Sequence, residues 1–128
     1  MRRLLISLAL LSSTSLLFAA SDGTWLGRVP QQERIRQNPY AENSDAVVAG
    51  SILFKRNCAS CHGASVQGMG SRPSLQSIRV HEATDGELYW LLTNGNIGRG
   101  MPSWSRLPDA QRWQLVRYLH WIPVKPSS

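Results

Sequence analysis

Residues 50–63 read GSILFKRNCASCHG, and the five positions Cys58 to His62 hold both cysteines of the chain and one of its three histidines. Two thiols and an imidazole at this spacing have three chemical uses: a redox dithiol, half of a zinc site, or the covalent attachment of haem. A thioredoxin-type dithiol sits where a strand enters a helix, whereas residues 46–57 are helical in pattern. Zinc wants a fourth ligand at suitable spacing, and none presents itself. A Cys58–Cys61 disulfide is the plain alternative if the chain is exported, since cysteines pair in oxidising compartments. C-x-x-C-H is also the attachment signature of c-type haem. The two thiols add to the two vinyl groups of one haem, and the adjacent histidine is placed beneath the iron.

The start of the chain bears on the compartment. MRRLLISLALLSSTSLLFAA (1–20) has a charged end at Arg2 and Arg3, an apolar run, and small residues from Ala19 to Ser21. This is the pattern of a secretory signal, with cleavage expected between Ala19 and Asp22. An uncleaved anchor is the rival, weakened because Ser12, Ser13, Thr14 and Ser15 interrupt a run that would need about 20 mainly apolar residues. Export to the periplasm is the expectation, with membrane attachment only if the signal stays on. The 128 residues suit one domain. Formal charge is +6, and loss of Arg2 and Arg3 leaves +4. No basic run exceeds two residues, so the charge is too small and too scattered for a nucleic-acid partner.

Working outward from the motif, residues 21–44 are polar and aperiodic and read as an arm that pins Trp25, Ile35 and Tyr40 onto the domain, or as a linker. Ser44 is a good N-cap, and Ala46, Val47, Gly50, Leu53 and Phe54 then fall within one helical stripe. Gly50 lies in the middle of that stripe. A mid-helix glycine costs about 1 kcal/mol relative to alanine, so close approach of another helix is expected there. Residues 63–83 read as loop. Thr84 to Glu87 form a capping box that opens a short helix with Leu88, Leu91 and Leu92 inward, ending near Asn94 and Gly95. NIGRGMPSWSRL (96–107) is irregular. A last helix starts at Pro108, carries Leu115, Tyr118, Leu119 and Ile122 on one face, and stops before Pro123. No strand-like alternation occurs. The domain plan is thus a signal over 1–20, an arm over 21–44, one domain over 45–123 and a tail over 124–128. About eighty residues in three short helices build little core. A large apolar cofactor would supply the missing interior.

Taken together, these residues resemble the class I cytochrome c family over roughly 46–122. The glycine and aromatic before C-x-x-C-H match Gly50 and Phe54, and in that family the glycine lets the first helix cross the last against a leucine–aromatic pair, here Leu115 and Tyr118. In GMGSRPSL (68–75), Pro73 matches the proline whose carbonyl receives the other ring N–H of the metal-bound histidine. In GRGMPSW (98–104), Met101 matches the sixth ligand. Met69 is the competing thioether, while His81 and His120 read as surface or rim residues.

The resemblance implies an all-α, small cytochrome c fold, with three main helices and long loops around one haem c. Attachment is through Cys58 and Cys61, the axial iron ligands are His62 and Met101, and Pro73 orients His62. With both axial positions filled, a single-electron carrier is implied rather than an enzyme, with no small-molecule substrate. Its partners would be redox proteins: a periplasmic dehydrogenase, an oxidase or another cytochrome. A haem enzyme or gas sensor with a displaceable sixth ligand, and a permanent electron-entry subunit of a dehydrogenase, are the alternatives.

Overall fold

The structure is a computed structural model that describes residues 24–125. The export segment expected over 1–20, its cleavage region and residues 126–128 lie outside the described residues. In chain order, a 3-10 turn over Leu26–Arg28 precedes α1 (Gln31–Arg34), α2 (Ser44–Asn57), α3 (Ala59–His62), α4 (Ile78–Glu82) and α5 (Asp85–Asn94). A second 3-10 turn over Ile97–Arg99 leads to α6 (Asp109–Trp121). Among the described residues there is no strand, only isolated bridges at Met69–Arg72 and Asn96–Met101.

Local chemistry explains the three longer helices. At α2 the cap is Asn43, whose side chain accepts from the Ala46 N–H at 3.1 Å. Ser44, the expected cap, is instead the first helical residue, because two adjacent residues with capping side chains compete and the one in extended backbone wins. Asp45 in the first turn and Lys55 and Arg56 in the last complement the helix dipole. The capping box of α5 forms as the sequence suggests: Thr84 Oγ1 accepts from the Glu87 N–H, and Glu87 accepts from the Thr84 N–H at 2.8 Å. Pro108 is the cap of α6 rather than its first residue, and the helix stops two residues before Pro123. The loop expected over 63–83 contains α4 near its end.

The main helix contact is α2 against α6. Phe54 and Leu115 are 1% exposed and Val116 0%. A Cβ on Gly50 would overlap the Gln114 carbonyl and lie 2.6 Å from Tyr118 Cβ, so only hydrogen permits this approach. Burial of such side chains contributes about 1.5–3 kcal/mol each.

The arm is part of the packing. Trp25 and Val29 are buried in the same cluster as Phe54 and Leu115, and Tyr40 packs against it. Ile35, by contrast, is 72% exposed, so the expectation that it pins the arm is wrong. Polar contacts hold that segment instead. Arg34 donates to Glu87 at 2.9 Å, to the Val29 carbonyl at 3.1 Å and to the Leu26 carbonyl. Thr84 donates to the Arg34 carbonyl at 2.8 Å, and Asn38 to that of Trp113 at 2.9 Å. No helix among the described residues is long and apolar enough to cross a membrane.

Candidate functional site

Cys58 ends α2 and starts α3. Its N–H donates to the Phe54 carbonyl at 2.8 Å, and its own carbonyl accepts from Cys61 and His62 at 3.1 and 2.9 Å. One helical turn therefore carries both thiols and the imidazole, with the cysteines three residues apart on neighbouring faces. Both are free thiols and half-buried. Burial, and then the neighbouring Cys61, pushes the Cys58 thiol up to about 11.

His62 is oriented from across the loop. Its Nδ1 lies 3.0 Å from the Pro73 carbonyl. A carbonyl only accepts, so Nδ1 carries the proton, and Nε2 is left with its lone pair free to ligate.

Backbone bonds place that carbonyl. Gly68 donates to the His62 carbonyl at 2.8 Å, Met69 and Arg72 exchange bonds at 3.1 and 3.0 Å, and Leu75 donates to Val66 at 2.9 Å. Gly68 has φ +83, and a Cβ there would meet the Arg72 carbonyl and Ser74 N–H at 2.7 Å. Val66 has φ +59 although it is β-branched and buried. Such a conformation costs on the order of 1–3 kcal/mol and clusters at functional sites.

Met101 sits in the connection between α5 and α6. It exchanges backbone bonds with Asn96 at 2.9 and 3.2 Å around the 3-10 turn. Gly95, at φ +71, starts this connection where a Cβ would meet the Met101 carbonyl at 2.7 Å. The arm reaches here too, since Arg28 donates to Asn96 Oδ1 at 2.7 Å. The Met101 side chain is half-buried against the core, as are Cys58, Leu75, Trp90 and Leu91. Met69, by contrast, is 49% exposed.

Cys58, Cys61, His62 and Pro73 are therefore brought together through direct bonds, and Met101 packs on the same core from another loop. Two thiols one turn apart, an imidazole with only Nε2 free and a half-buried soft thioether form a donor set that fits covalently held haem.

Other groups do not compete for this role. Among the described residues no group of three or more His, Cys, Asp or Glu side chains could hold a metal ion. His120 is half-buried and engaged: its Nδ1 is 3.0 Å from Asp85 Oδ1 and its Nε2 3.0 Å from the Ala83 carbonyl. Both of its ring nitrogens are thus engaged in tying α6 to the start of α5. His81 is half-buried beside it, ring centroids 6.5 Å apart, with Nε2 buried and unpartnered among the described residues. The sequence held no signal for the Arg28–Asn96 tie or for the Val66 conformation, because both depend on tertiary placement.

Residues 45–119 match the family described as cytochrome C oxidase, cbb3-type, subunit III. The cbb3-type cytochrome c oxidase subunit CcoP of Azospirillum sp. (strain B510) is 35% identical over 92 residues, covering 65% of this chain and 31% of that protein. CcoP of Rhodobacter capsulatus is 35% identical over 85 residues, or 56% of this chain and 28% of that protein. The chain spans less than a third of the length of these relatives. Two solved structures share the fold. Cytochrome cL of Methylophaga aminisulfidivorans is 22% identical with a TM-score of 0.59, over 68% of this chain and 59% of that one. Cytochrome cL of Hyphomicrobium denitrificans is 19% identical with a TM-score of 0.56, over 78% and 67%.

Proposed function

The chain belongs to the cytochrome C oxidase, cbb3-type, subunit III family and is a class I c-type cytochrome, and on that premise we propose that it is a single-electron carrier of the periplasm. Its cofactor is haem c, whose iron, when bound, supplies a one-electron couple. In this reading Cys58 and Cys61 would hold the group through thioethers, and His62 Nε2 and the Met101 thioether would bind its iron. Pro73 acts through His62: by accepting the Nδ1 proton it keeps the imidazole neutral at Nε2 and fixes the ring plane. The observation that carries the reading is this 3.0 Å contact, because it holds His62 in the tautomer whose free Nε2 can bind a metal, directly beside the two thiols. Residues 45–123 are then the haem-carrying unit, 21–44 its arm, 124–128 a tail, and 1–20 the export signal.

With His62 and Met101 both engaged by the iron, exchange would be with other redox proteins. An oxidase, a periplasmic dehydrogenase or a second cytochrome are the partners this suits, free or in a standing complex.

Acid–acetone extraction tests attachment: the haem should stay on the polypeptide. Haem in the organic phase, or a mass equal to the bare chain, would overturn the reading. Ligation is tested by Met101→Ala, which should lower the reduction potential and let carbon monoxide bind the reduced protein. Carbon monoxide binding to the unaltered protein would instead indicate a sensor or enzyme.

A further inference from the structure

The segment that carries Met101 is anchored at its ends and loose between them. On the α6 side, Ser103 Oγ donates to the Thr93 carbonyl at 2.5 Å and the Trp104 N–H to the Leu92 carbonyl at 2.8 Å. On the other side, Gly95 leaves the end of α5. Between these anchors Ile97 to Gly100 are exposed. The backbone bonds there run from Asn96 to Met101 and back, from Arg99 to Asn96 and from Gly100 to Ile97, so the turn closes on itself. Exposed bonds and few buried contacts make a segment open easily as a unit. Among the described residues, one hydrogen bond reaches this turn from elsewhere in the protein: Arg28 donates to Asn96 Oδ1 at 2.7 Å.

Arg28 is well placed to hold something. It closes a 3-10 turn, and the residues flanking that turn, Trp25 and Val29, are 6% and 4% exposed in the core. The Arg28 N–H donates to the Trp25 carbonyl at 3.0 Å, and Arg34 donates to the carbonyls of Leu26 and Val29 on either side. The exposed guanidinium thus projects from a fixed base. Asn96, which receives it, exchanges both backbone bonds with Met101 at 2.9 and 3.2 Å. Fixing Asn96 therefore fixes the Met101 backbone.

We propose that Arg28 is a positioning residue for Met101: gripping Asn96 from the arm, it keeps the methionine segment from swinging away from the site. This role rests on the reading of Met101 as an axial ligand. The arm lies ahead of residues 45–119, which match the family, so the support is added from outside the matched domain. Its effect is on how often the ligand segment opens.

The test uses the holoprotein and begins with the oxidised, unaltered form, which should show the absorption of a thioether on ferric haem. Free imidazole then competes, its ring nitrogen taking the thioether's place with no change of oxidation state. At about pH 8 free imidazole is mostly uncharged, so altered protein charge does not steer it. Its binding rate should level off at high concentration, where opening of the methionine segment limits. That plateau should rise about fivefold in Arg28→Ala, as for loss of one hydrogen bond. Asn96→Ala should act alike, and the double variant no more than either alone, because both remove the same bond. Arg36→Ala loosens the arm elsewhere, where the guanidinium pairs with Glu33 and lies 4.5 Å from the Tyr89 ring centre. It should lower the melting temperature and leave the plateau alone. An unchanged plateau in Arg28→Ala, whatever its melting temperature, would reduce the tie to a surface contact and overturn the proposal. Additive effects of Arg28→Ala and Asn96→Ala, or an equal rise in Arg36→Ala, would overturn it too. Absence of the thioether absorption from the unaltered protein would reject Met101 as ligand, and this role with it, before any variant is made.

Discussion

The α2–α6 crossing and the two loops that carry His62 and Met101 are built on opposite principles. At the crossing, Phe54, Leu115 and Val116 are sealed from solvent and the approach is set by a glycine without a side chain. In the loops, Pro73, Arg72, Arg99 and Gly100 are exposed, and position comes from backbone bonds and from left-handed residues such as Gly68. Burial makes the first region sensitive to volume and indifferent to ligand chemistry. Directed bonds make the second sensitive to ligand chemistry and more tolerant of volume. A change in one region should therefore leave the other's readout almost untouched.

The most severe challenge to that separation is Gly50→Ala. Its Cβ overlaps backbone at Gln114, so the helices must part, at a cost of about 3 kcal/mol, the upper end for overpacking. Thermal melting should fall clearly while the visible spectrum keeps its ligand signature. A spectrum that changes with the melt would show the two regions to be one unit.

Next in size is Arg34→Ala, which tests whether the arm belongs with the packed region. It removes hydrogen bonds to Val29 and Leu26 and leaves Glu87, whose side chain is 9% exposed, without its cation. Arg34 itself is about a third exposed, so the loss should be about 2 kcal/mol rather than the larger value for a fully buried pair. Urea denaturation would measure it. A neutral result would detach the arm from the core.

Cys58 lies where the two regions join. Its thiol, raised to about 11 by burial, favours the protonated form when folded. That contribution is complete below the unfolded value near 9 and is lost as pH rises through about 11. In the haem-free chain stability should fall across that window, and Cys58 should alkylate more slowly than Cys61 at pH 8. Equal alkylation rates would mean the thiol is not packed before the cofactor is joined.

The smallest effect sharpens the comparison from the other side. Met69→Ala should change stability by less than about 0.5 kcal/mol, as for exposed positions generally, and leave potential and spectrum alone. Carbon monoxide binding by this variant, rather than by Met101→Ala, would exchange the roles of the two methionines.

The periodic parts of this fold could be read from the residues. The stripe through Gly50 and Phe54, the Thr84–Glu87 box and the Leu115 face each repeat a local rule, and each sits where the rule puts it. The arm escaped because one-turn helices are too short to show a period, so nothing distinguished Trp25 and Val29, which enter the core, from Ile35, which does not. Nothing in the periodicity pointed from His120 to its partner Asp85, which lies thirty-five positions earlier in the chain. At the site, the family resemblance put Pro73 opposite His62, where its carbonyl lies.

The crossing at Gly50 also sets an order of events. Its two halves stand at opposite ends of the domain sequence, and the entire stretch with the thiols and both loops lies between them. Closing so long a loop adds little equilibrium cost, since that cost grows only with the logarithm of length, but contacts this distant form late. A chain emerging from its N-terminus first has Cys58 and Cys61 in the open until residues 109–121 arrive to complete the core. The thiols are thus most reactive while the protein is unfinished, and the arrival of α6 ends that interval by completing the core against which Cys58 is half-buried.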